Sequence, residues 1–349
     1  MSRPAVTGTE LYVRRVCSGL PRVAPDIDWR FYSSAPATEP GGVDLTVAPL
    51  PRLWTELRLP LEVARNRPDL LFVPAHSVPS LVRVPSVMTV HDLAYERFPG
   101  AYSRSALAHL RHGVRSAARR CRLLLAVSEA TKRDLMGLYG VSPDLVRVVH
   151  PGPGSGPGAE RVSDPERDAR ELAGIGIHGP FVLHVGRVEV RKNQVTALAA
   201  VEAIDGLTLV CAGPVADREV AARLTGSAAC IVLGRVGDPV RDLLYRTAQA
   251  LVFPSLYEGF GFPVLEAMAR GLPVITARTS SLPEIAGDAA LYVDDPLDHE
   301  SLGSAIRSVL EGGDLRERLA AAGRLRAARF TWESCSVGVA AALREALER

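Results

Sequence analysis

The stretch that decides the fold is FPSLYEGFGFPVLEAMARGLPVITARTSSLPE, residues 253–284. A short apolar run at 250–253 predicts a buried strand that ends as the chain reaches proline. After a glycine-containing loop, Pro263 predicts the start of a helix that stops at Gly271, because proline favours the first helical turn and glycine the position just past the end. A second apolar run, LPVITA, follows at once. The spacing therefore predicts a β-loop-α-β unit whose two strands are parallel.

Two carboxylates flank the start of this predicted helix. Glu258 lies in the loop and Glu266 in the first turns of the helix. Gly259 and Gly261 allow the backbone to approach a ligand closely, and the free N–H groups of a helix start favour an anion. Such a site suits a diphosphate that carries a hydroxyl-rich group at each end. The alternative interpretation is a surface loop and helix whose glutamates only face water.

The same residues resemble the donor-binding motif of retaining glycosyltransferases of family four, which have the GT-B fold. The family pattern is a glutamate, a glycine-aromatic-glycine loop and a second glutamate eight positions on, and RGLPVITARTSSLPEIAGDAALYVDD continues it. The resemblance implies that Glu258 contacts hydroxyls of the transferred sugar and that Glu266 holds the ribose of the nucleotide. The loop that would bind the donor comprises Gly259, Phe260, Gly261 and Phe262.

The bulk composition describes a globular protein of two domains. A chain of 349 residues exceeds one ordinary domain and suits two α/β domains of roughly 150–180 residues each. The chain is 47% hydrophobic, and 41 Lys and Arg against 39 Asp and Glu leave a net charge of only +2. This balance gives no overall basic field, so nucleic acid is not an expected partner.

The cysteines indicate a reducing compartment. All five are scattered, without the spacing of a zinc site, which predicts reduced and mostly buried thiols. The N-terminus lacks the apolar core of a signal peptide, and no run reaches the ~20 apolar residues that a spanning helix needs. We therefore expect a soluble cytoplasmic protein, or at most one that is peripheral at the inner face of the membrane. The cysteines are Cys17, Cys121, Cys211, Cys230 and Cys335.

A change of composition divides the chain. Residues 150–160, HPGPGSGPGAE, hold four glycines and three prolines and predict a linker. The alternation of strands and helices after it predicts a parallel sheet that is covered on both faces. With the resemblance, the expected domains are an acceptor-side Rossmann-like domain at 1–152 and a nucleotide-sugar-binding Rossmann-like domain at 153–330. A final helix at 331–349 would cross back to the first domain.

The first half is less regular. Candidate strands are DLTVAPL, LLFVPA, SVMTVHD and LLLAVS, and LYVRRVCSGLP predicts a helix. Most members of the resembled family begin with a strand before this helix, yet residues 1–7 leave almost no room for it. This departure leaves three interpretations open: a misplaced start codon, a lost strand or a short substitute segment.

Two cations follow the first predicted strand of the second half. In VGRVEVRKN, residues 185–193, Arg187 and Lys192 stand five apart around a predicted turn. Cations in this arrangement can bracket a diphosphate and neutralise charge on a leaving group. Taken alone, they would be solvated loop charges. The resemblance implies that both contact the donor phosphates.

In the first half, His91 and Asp92 end a predicted buried strand, at the edge where open α/β sheets bind ligands. A lone histidine is more often structural, whereas the resemblance implies that His91 contacts the reacting sugar or the acceptor. Gly8 stands where related proteins carry a glycine-rich turn against the diphosphate and the acceptor. The alternative for Gly8 is an ordinary N-terminal turn.

Two further patterns in the first half are compatible with other functions. The basic segment 103–122 carries a small apolar stripe, which favours a core-facing helix over one that rests on anionic lipid. Asp26 and Asp28 spell the D-x-D of metal-dependent glycosyltransferases of the other major fold, but they lie far in sequence from the phosphate motifs and are interpreted as chance. We expect no metal and no cofactor, with the nucleotide sugar as substrate.

Together these patterns predict an α/β protein of the GT-B fold, with two Rossmann-like domains whose parallel sheets face a central cleft. The expected activity is retaining, metal-independent transfer of a hexose from a nucleotide-diphosphate donor to an acceptor hydroxyl by same-face attack. The alternatives are a catalytically impaired nucleotide-sugar-binding protein and a GT-B-fold sugar-nucleotide epimerase.

The donor and the acceptor are less defined. The H-D-L…F-P signature resembles mannosyltransferases and favours GDP-mannose, while UDP-glucose, UDP-N-acetylglucosamine and deoxysugar nucleotides stay open. Backbone near Val236 is the expected place for selection of the base. The acceptor would be a glycan, a lipid-linked molecule or a small molecule, with weak peripheral membrane contact as a further expectation. The Arg- and Ala-rich composition indicates a bacterial origin.

Overall fold

The chain folds into two α/β units. A computed structural model describes residues 7–34, 45–47, 54–75, 77–154 and 164–349. The first unit comprises Thr7–Gly152 together with Phe330–Arg349, and the second unit comprises Pro153–Arg329. Each unit has a parallel sheet at its centre.

The first unit is built on a four-stranded sheet in the order β3-β4-β5-β6, with a separate parallel pair formed by β1 and β2. Every residue of β4 and β5 is buried, as expected for parallel strands that are covered on both faces. The strands are β1 Phe31–Ser33, β2 Leu45–Val47, β3 Leu71–Val73, β4 Ser86–Val90, β5 Leu123–Ala126 and β6 Val146–Val148. The helices that precede the second unit are α1 Gly8–Val23, α2 Leu59–Asn66, α3 Ala94–Arg97, α4 Arg104–Arg120 and α5 Glu129–Tyr139.

The second unit has a six-stranded parallel sheet in the order β12-β11-β10-β7-β8-β9. Its strands are β7 Phe181–Val185, β8 Thr208–Ala212, β9 Cys230–Gly234, β10 Leu251–Phe253, β11 Val274–Ala277 and β12 Leu291–Val293. Its helices are α6 Pro165–Ala173, α7 Gln194–Glu202, α8 Arg218–Thr225, α9 Asp238–Thr247, α10 Phe262–Ala269, α11 Leu282–Ala286, α12 His299–Glu311 and α13 Gly313–Ala327. The last helix of the chain, α14 Trp332–Glu348, belongs to the first unit.

The strand order of the second unit reverses at β7. This strand pairs with β8 on one side and with β10 on the other. Strands β8 and β9 continue the sheet in one direction, and β10, β11 and β12 continue it in the other. Connections from β7 and β10 therefore leave the sheet on opposite sides, and the crevice between them at the carboxyl ends is where open parallel sheets bind ligands.

Helix α14 completes the first unit by packing against α1. The two helices approach closely at Gly19, where an added Cβ would lie 2.1 Å from Oγ of Ser336. That hydroxyl donates to the carbonyl of Trp332 at 2.8 Å. At the other end of α14, the guanidinium of Arg147 donates to both carboxylate oxygens of Glu345, at 2.6 and 2.9 Å. The close helix contact and the ion pair together fix α14 on this unit.

The structure confirms the predicted α/β class with parallel sheets. The runs LLFVPA, SVMTVHD and LLLAVS coincide with β3, β4 and β5, and DLTVAPL contains β2. The short strand β1 was not predicted, since its three half-buried residues form no apolar run. Helix α10 begins at Phe262, one residue before the proline that the sequence indicated. The expected place of a first strand, residues 1–6, and most of the predicted linker, residues 155–160, lie outside the described residues.

The close approach of α1 and α14 predicts a cost for any side chain at Gly19. Gly19→Ala should lower the free energy of unfolding by about 1–3 kcal/mol, the usual cost of overpacking a tight contact. Urea denaturation followed by circular dichroism measures it.

Gly137→Ala in α5 is the matched control. A Cβ at this exposed helical position would meet no described atom within 4 Å. This change should raise the free energy of unfolding by about 0.5–1 kcal/mol, because alanine loses less backbone entropy than glycine. Equal effects of the two substitutions would contradict the packing argument.

Candidate functional site

The candidate site lies at the carboxyl ends of β7 and β10, where the strand order reverses. A 3₁₀ turn, Val190–Lys192, follows β7. The loop 254–261 follows β10 and leads into α10. The two segments are joined by main-chain and side-chain hydrogen bonds: the amide of Leu256 donates to the carbonyl of Arg191 at 2.9 Å, and the Asn193 side chain donates to the carbonyl of Pro254 at 3.0 Å. The crevice between the strands is therefore closed at its base by two bonded loops.

The loop after β11 holds the loop 254–261 in shape through hydrogen bonds. The backbone amide of Glu258 donates to Oγ of Ser280 at 2.7 Å. The Ser281 hydroxyl is bonded to the carbonyls of Glu258 and Phe260, at 3.0 and 2.8 Å. The Thr279 hydroxyl donates to the carbonyl of Ser255 at 2.6 Å. Three successive hydroxyl residues after β11 therefore hold the glycine loop from one side.

Gly261 makes the turn from this loop into α10. It has φ +112°, a conformation that side chains disfavour, and an added Cβ would lie 3.2 Å from the Leu282 side chain. The helix starts immediately afterwards, so its first backbone N–H groups lie beside the loop. Gly259 and Phe260 are buried, and the ring of Phe260 packs edge-on against Phe262 with centroids 5.1 Å apart. The predicted donor loop is thus a packed element that ends at a helix N-terminus.

A buried ion pair connects the two sides of the crevice. Nζ of Lys192 donates to Oε1 of Glu258 at 2.6 Å, and both side chains are at most 9% exposed. Arg191 joins the pair from the same turn, with Nη1 3.3 Å from Oε2 of Glu258 and 2.7 Å from the carbonyl of Tyr257. Two of the predicted residues, distant in sequence, are therefore in direct contact.

This environment keeps Glu258 ionised. Burial is the largest influence and would raise the pKa of the carboxyl, but Lys192, Arg191 and hydrogen bonding outweigh it, so the pKa lies below its ordinary value. The carboxylate therefore accepts hydrogen bonds and does not donate a proton at neutral pH. Its geometry suits the recognition of a hydroxyl group.

His184 lies beneath the pair, fully buried in β7. Its Nδ1 is 3.0 Å from the carbonyl of Val252, and its ring stacks on Phe253 with centroids 5.2 Å apart. Nζ of Lys192 lies 5.1 Å from the centroid of the same Phe253 ring. Burial, reinforced by the charge of Lys192, lowers the pKa of His184 to about 4. The imidazole is therefore neutral at neutral pH and adds no charge beneath the ion pair.

Arg187 is linked to the Lys192–Glu258 cluster by an ion pair with Glu189, which was not among the predicted site residues. Its Nη2 lies 3.2 Å from Oε2 of Glu189, and its side chain is 53% exposed. The other carboxylate oxygen of Glu189 accepts from Arg191 at 2.7 Å. Of the cations described in this cluster, Arg187 is thus the one that extends toward solvent.

Glu189 and Arg191 belong to the site although neither was predicted. Both lie between the two predicted cations, in the short segment VEVRK. The sequence did contain a signal, because one carboxylate stands among three cations within a few residues, a pattern in which ion pairs are expected. The charge pattern alone does not show which of these side chains contacts Glu258.

Glu266 is the fifth residue of α10, just over one turn beyond the loop, and is buried. Its Oε2 accepts a hydrogen bond from the hydroxyl of Tyr245 at 2.8 Å. Val236 follows the edge strand β9 and is half-buried at the same carboxyl edge of the sheet. The structure therefore places both predicted residues in the second unit, with Glu266 supported by a tyrosine that the sequence analysis had not singled out.

His91 and Gly8 lie in the first unit. His91 follows β4, its Nε2 is 2.8 Å from the carbonyl of Pro74, and its ring packs edge-on against Tyr12 with centroids 4.8 Å apart. Gly8 is the first residue of α1, and Thr7 caps the helix by accepting from the amide of Glu10. Since Tyr12 lies one turn after Gly8, helix α1 brings the two predicted residues to one neighbourhood. The Asp92 carboxylate accepts from the amide of Ala94, the first residue of α3, at 3.0 Å.

The D-x-D segment lies in the first unit and forms ion pairs with arginines. Asp26 forms an ion pair with Arg344 at 2.7 Å, and Asp28 is 85% exposed beside Arg30. In the part of the chain that the structure describes, no group of three or more His, Cys, Asp or Glu side chains could hold a metal ion. Within the same residues, no helix is both long and apolar enough to cross a membrane.

Comparison with known proteins identifies the family. A family model described as Glycosyl transferases group 1 matches residues 169–326, and one described as Glycosyltransferase Family 4 matches residues 6–152. The chain belongs to the family 4 glycosyltransferases. O-antigen chain mannosyltransferase B of Escherichia coli is 29% identical over 263 residues, which are 72% of this chain and 68% of the relative. D-inositol 3-phosphate glycosyltransferase of Corynebacterium kroppenstedtii is 31% identical over 285 residues, which are 73% of this chain and 60% of the relative.

Solved structures show the fold of this family 4 glycosyltransferase. Anabaena HepE, solved in complex with UDP and glucose, superposes with a TM-score of 0.76 at 19% identity, over 99% of this chain and 98% of that one. WaaG, described as a glycosyltransferase involved in lipopolysaccharide biosynthesis, gives a TM-score of 0.72 at 20% identity, over 96% of each chain. These similarities confirm the predicted GT-B fold.

The buried ion pair of this glycosyltransferase predicts a pH-dependent stability. Because the folded-state pKa of Glu258 lies below its ordinary value of 4.5, the carboxylate stabilises the fold above that pH and loses its contribution as the pH falls through the folded-state pKa. Glu258→Gln should destabilise by about 3–5 kcal/mol at pH 7, since it leaves Lys192 buried without a counter-charge. The difference from the unaltered protein should shrink below pH 4.5.

Chemical denaturation from pH 7 to pH 3.5 measures this difference. Glu317→Gln, at an exposed position of α13 in the same unit, is the matched control and should leave the pH profile unchanged. A destabilisation by Glu258→Gln that stays constant across the whole range would contradict the assignment of charge to Glu258.

Proposed function

We propose that this family 4 glycosyltransferase transfers a hexose, with retention of configuration, from a nucleotide-diphosphate donor to an acceptor hydroxyl. The observation that carries the proposal is the contact of Lys192 with Glu258 at the point where the strand order reverses. Around this contact, the ionised carboxylate, the cations Arg191 and Arg187 and the N-terminus of α10 lie at one edge of the sheet. A sugar diphosphate offers the matching chemistry, hydroxyl groups for the carboxylate and negative charge for the cations.

The donor diphosphate is proposed to lie against Arg187 and the first N–H groups of α10. When the glycosyl group leaves, negative charge develops on the diphosphate, and cations and helix N-termini stabilise that charge. Arg187 is suited to this role because its side chain is half exposed and held by a single described ion pair. Lys192 contributes the second positive charge of the predicted pair from the buried side.

Glu258 is proposed to orient the transferred sugar through its hydroxyl groups. In the proposed reaction, the bond from the anomeric carbon to the phosphate oxygen breaks, and the acceptor oxygen bonds to the same face of that carbon. The acceptor proton moves to an oxygen of the leaving phosphate. This route needs no carboxylate nucleophile, and the cations that hold Glu258 suit it to binding hydroxyls. Glu266 is proposed to hold the ribose.

GDP-mannose is the favoured donor. Two of the similar proteins are named as O-antigen chain mannosyltransferases, from Escherichia coli and Salmonella typhimurium, which supports a mannosyl donor. UDP-glucose is the second candidate, because HepE was solved in complex with it. The backbone at Val236 is proposed to select the base. His91 and Gly8 are proposed to contact the sugar or the acceptor, and the protein is proposed to act in the cytoplasm, in weak contact with the inner face of the membrane.

Calorimetric titration with GDP, UDP and dTDP is the first test. One of the three should bind with a micromolar dissociation constant, and a failure of all three to bind would overturn the proposal. Because Glu258→Gln is destabilising, it is assayed at a temperature well below its unfolding transition; there it should keep most of that affinity, since the carboxylate is assigned to the sugar, while transfer from the sugar nucleotide falls by about 100-fold or more. Normal nucleotide binding also shows that the variant is folded. Full transfer by Glu258→Gln would contradict its role.

The stereochemistry of the product tests the retaining mechanism. With an α-linked sugar nucleotide, proton NMR should show an α-glycoside as the first product, whereas a β-glycoside would overturn retention. Exchange at the 2-position of the sugar without transfer would instead indicate an epimerase. Binding without any transfer or donor hydrolysis would indicate an impaired nucleotide-sugar-binding protein.

Arg187 provides a test of leaving-group stabilisation. Arg187→Gln should lower the transfer rate by about 100-fold, as expected for the loss of one group that stabilises developing charge, and should weaken nucleoside-diphosphate binding. Steady-state kinetics with a fixed acceptor measure the rate. Arg223→Gln at the exposed end of α8 is the control and should change neither quantity. Equal effects of the two substitutions would assign the loss to general electrostatics.

A further inference from the structure

The two carboxylate oxygens of Glu266 have different neighbours, the hydroxyl of Tyr245 and the main chain at Gly154. The hydroxyl of Tyr245 donates to Oε2 of Glu266 at 2.8 Å, and both side chains are buried. Burying a phenol hydroxyl requires a hydrogen-bond partner, and a charged acceptor makes such a bond stronger than a neutral one. The bond joins α9 to α10, so it also sets the direction in which the carboxylate points.

Tyr245 is itself held by Arg270, the residue that follows α10. Cζ of Arg270 lies 5.1 Å from the centroid of the Tyr245 ring. The same guanidinium donates to Oδ1 of Asp242 at 3.0 Å and to the carbonyl of Glu266 at 3.2 Å. Arg246 extends this network by bonding Asp242 at 3.3 Å. The tyrosine hydroxyl therefore has little freedom to follow the carboxylate if the latter moves.

The second oxygen of Glu266 meets the main chain at Gly154. A Cβ added to Gly154 would lie 1.9 Å from Oε1 and 3.0 Å from Cδ of Glu266. No real side chain can stand so close, so the present position of the carboxylate requires glycine at 154. The constraint acts on the oxygen opposite to the one that Tyr245 holds. Two independent elements thus bracket one carboxylate.

We propose that Tyr245 and Gly154 are positioning residues that aim Glu266 at the ribose hydroxyls of the donor nucleotide. This inference rests on the proposed function, in which Glu266 holds the ribose. A carboxylate aimed at two neighbouring hydroxyl groups must keep both its position and its rotation, because each bond depends on distance and angle. The phenol fixes the rotation, and the absence of a side chain at 154 leaves the required space.

Comparing nucleotides with and without ribose hydroxyl groups distinguishes the orientation of Glu266 from a general packing effect. Tyr245→Phe keeps the ring and removes the hydroxyl. Calorimetry compares GDP with 2′,3′-dideoxy-GDP, or the UDP pair if UDP binds more tightly. Tyr245→Phe should weaken binding of the ribonucleotide about fivefold to tenfold, in line with one hydrogen bond to a charged group. Binding of the dideoxy nucleotide should change less than about twofold, because it has no ribose hydroxyl groups for Glu266 to recognise.

Gly154→Ala tests the same inference from the opposite side. Its Cβ should displace the carboxylate and produce the same selective loss of ribonucleotide affinity. Tyr292→Phe is the matched control, since its hydroxyl donates to the carbonyl of Gly287 at 2.6 Å within the same unit. It should leave both affinities unchanged. Thermal unfolding of each variant shows whether a loss of affinity reflects a loss of folded protein.

Glu266→Gln distinguishes this inference from the proposed function. If Glu266→Gln does not reduce the preference for the ribonucleotide, the ribose role of Glu266 is wrong. If Glu266→Gln removes the preference while Tyr245→Phe and Gly154→Ala keep it, the ribose role stands and the positioning inference is wrong. Equal losses for both nucleotides in Tyr245→Phe and Gly154→Ala would also overturn the inference, since they indicate a general packing effect.

Discussion

The contact of Lys192 with Glu258 is the constraint on which the second unit's site depends. It joins the turn after β7 to the loop after β10, beyond the carboxyl ends of these two paired strands. Each buried charge would be costly alone, so the two residues and Arg191 are stable only as a group. The glycine loop, the turn after β7 and the start of α10 therefore hold their positions together.

The two glutamates of the motif are maintained by different chemistry. Glu258 faces cations, which hold its charge, whereas Glu266 faces the hydroxyl of a tyrosine. The first arrangement combines a fixed negative charge with neighbouring positive charges. The second holds a carboxylate by a directional hydrogen bond. A motif that looks symmetrical in sequence therefore has two electrostatically distinct ends.

Much of this arrangement could be predicted from the sequence. The alternation of apolar runs predicted the parallel sheet, and the pattern from Pro254 to Gly271 predicted the loop, the helix and both glutamates. What periodicity does not contain is contact across the fold. Tyr245 is an ordinary helical aromatic in sequence, and only the three-dimensional fold brings its hydroxyl to Glu266. The role of Arg191 could not be predicted for a similar reason: the sequence shows two adjacent cations, Arg191 and Lys192, but not which of them contacts a carboxylate.

The packing of α14 against α1 has a consequence for how the protein is made. The first unit is discontinuous in sequence, since Phe330–Arg349 completes what Thr7–Gly152 begins. On the ribosome, the apolar face of α1 emerges long before its partner helix is synthesised. The second unit, whose described residues all lie between Pro153 and Arg329, can reach its native contacts while the first still lacks a helix. The order of synthesis therefore allows the second unit to mature first, and the first unit depends on α14 to close its core.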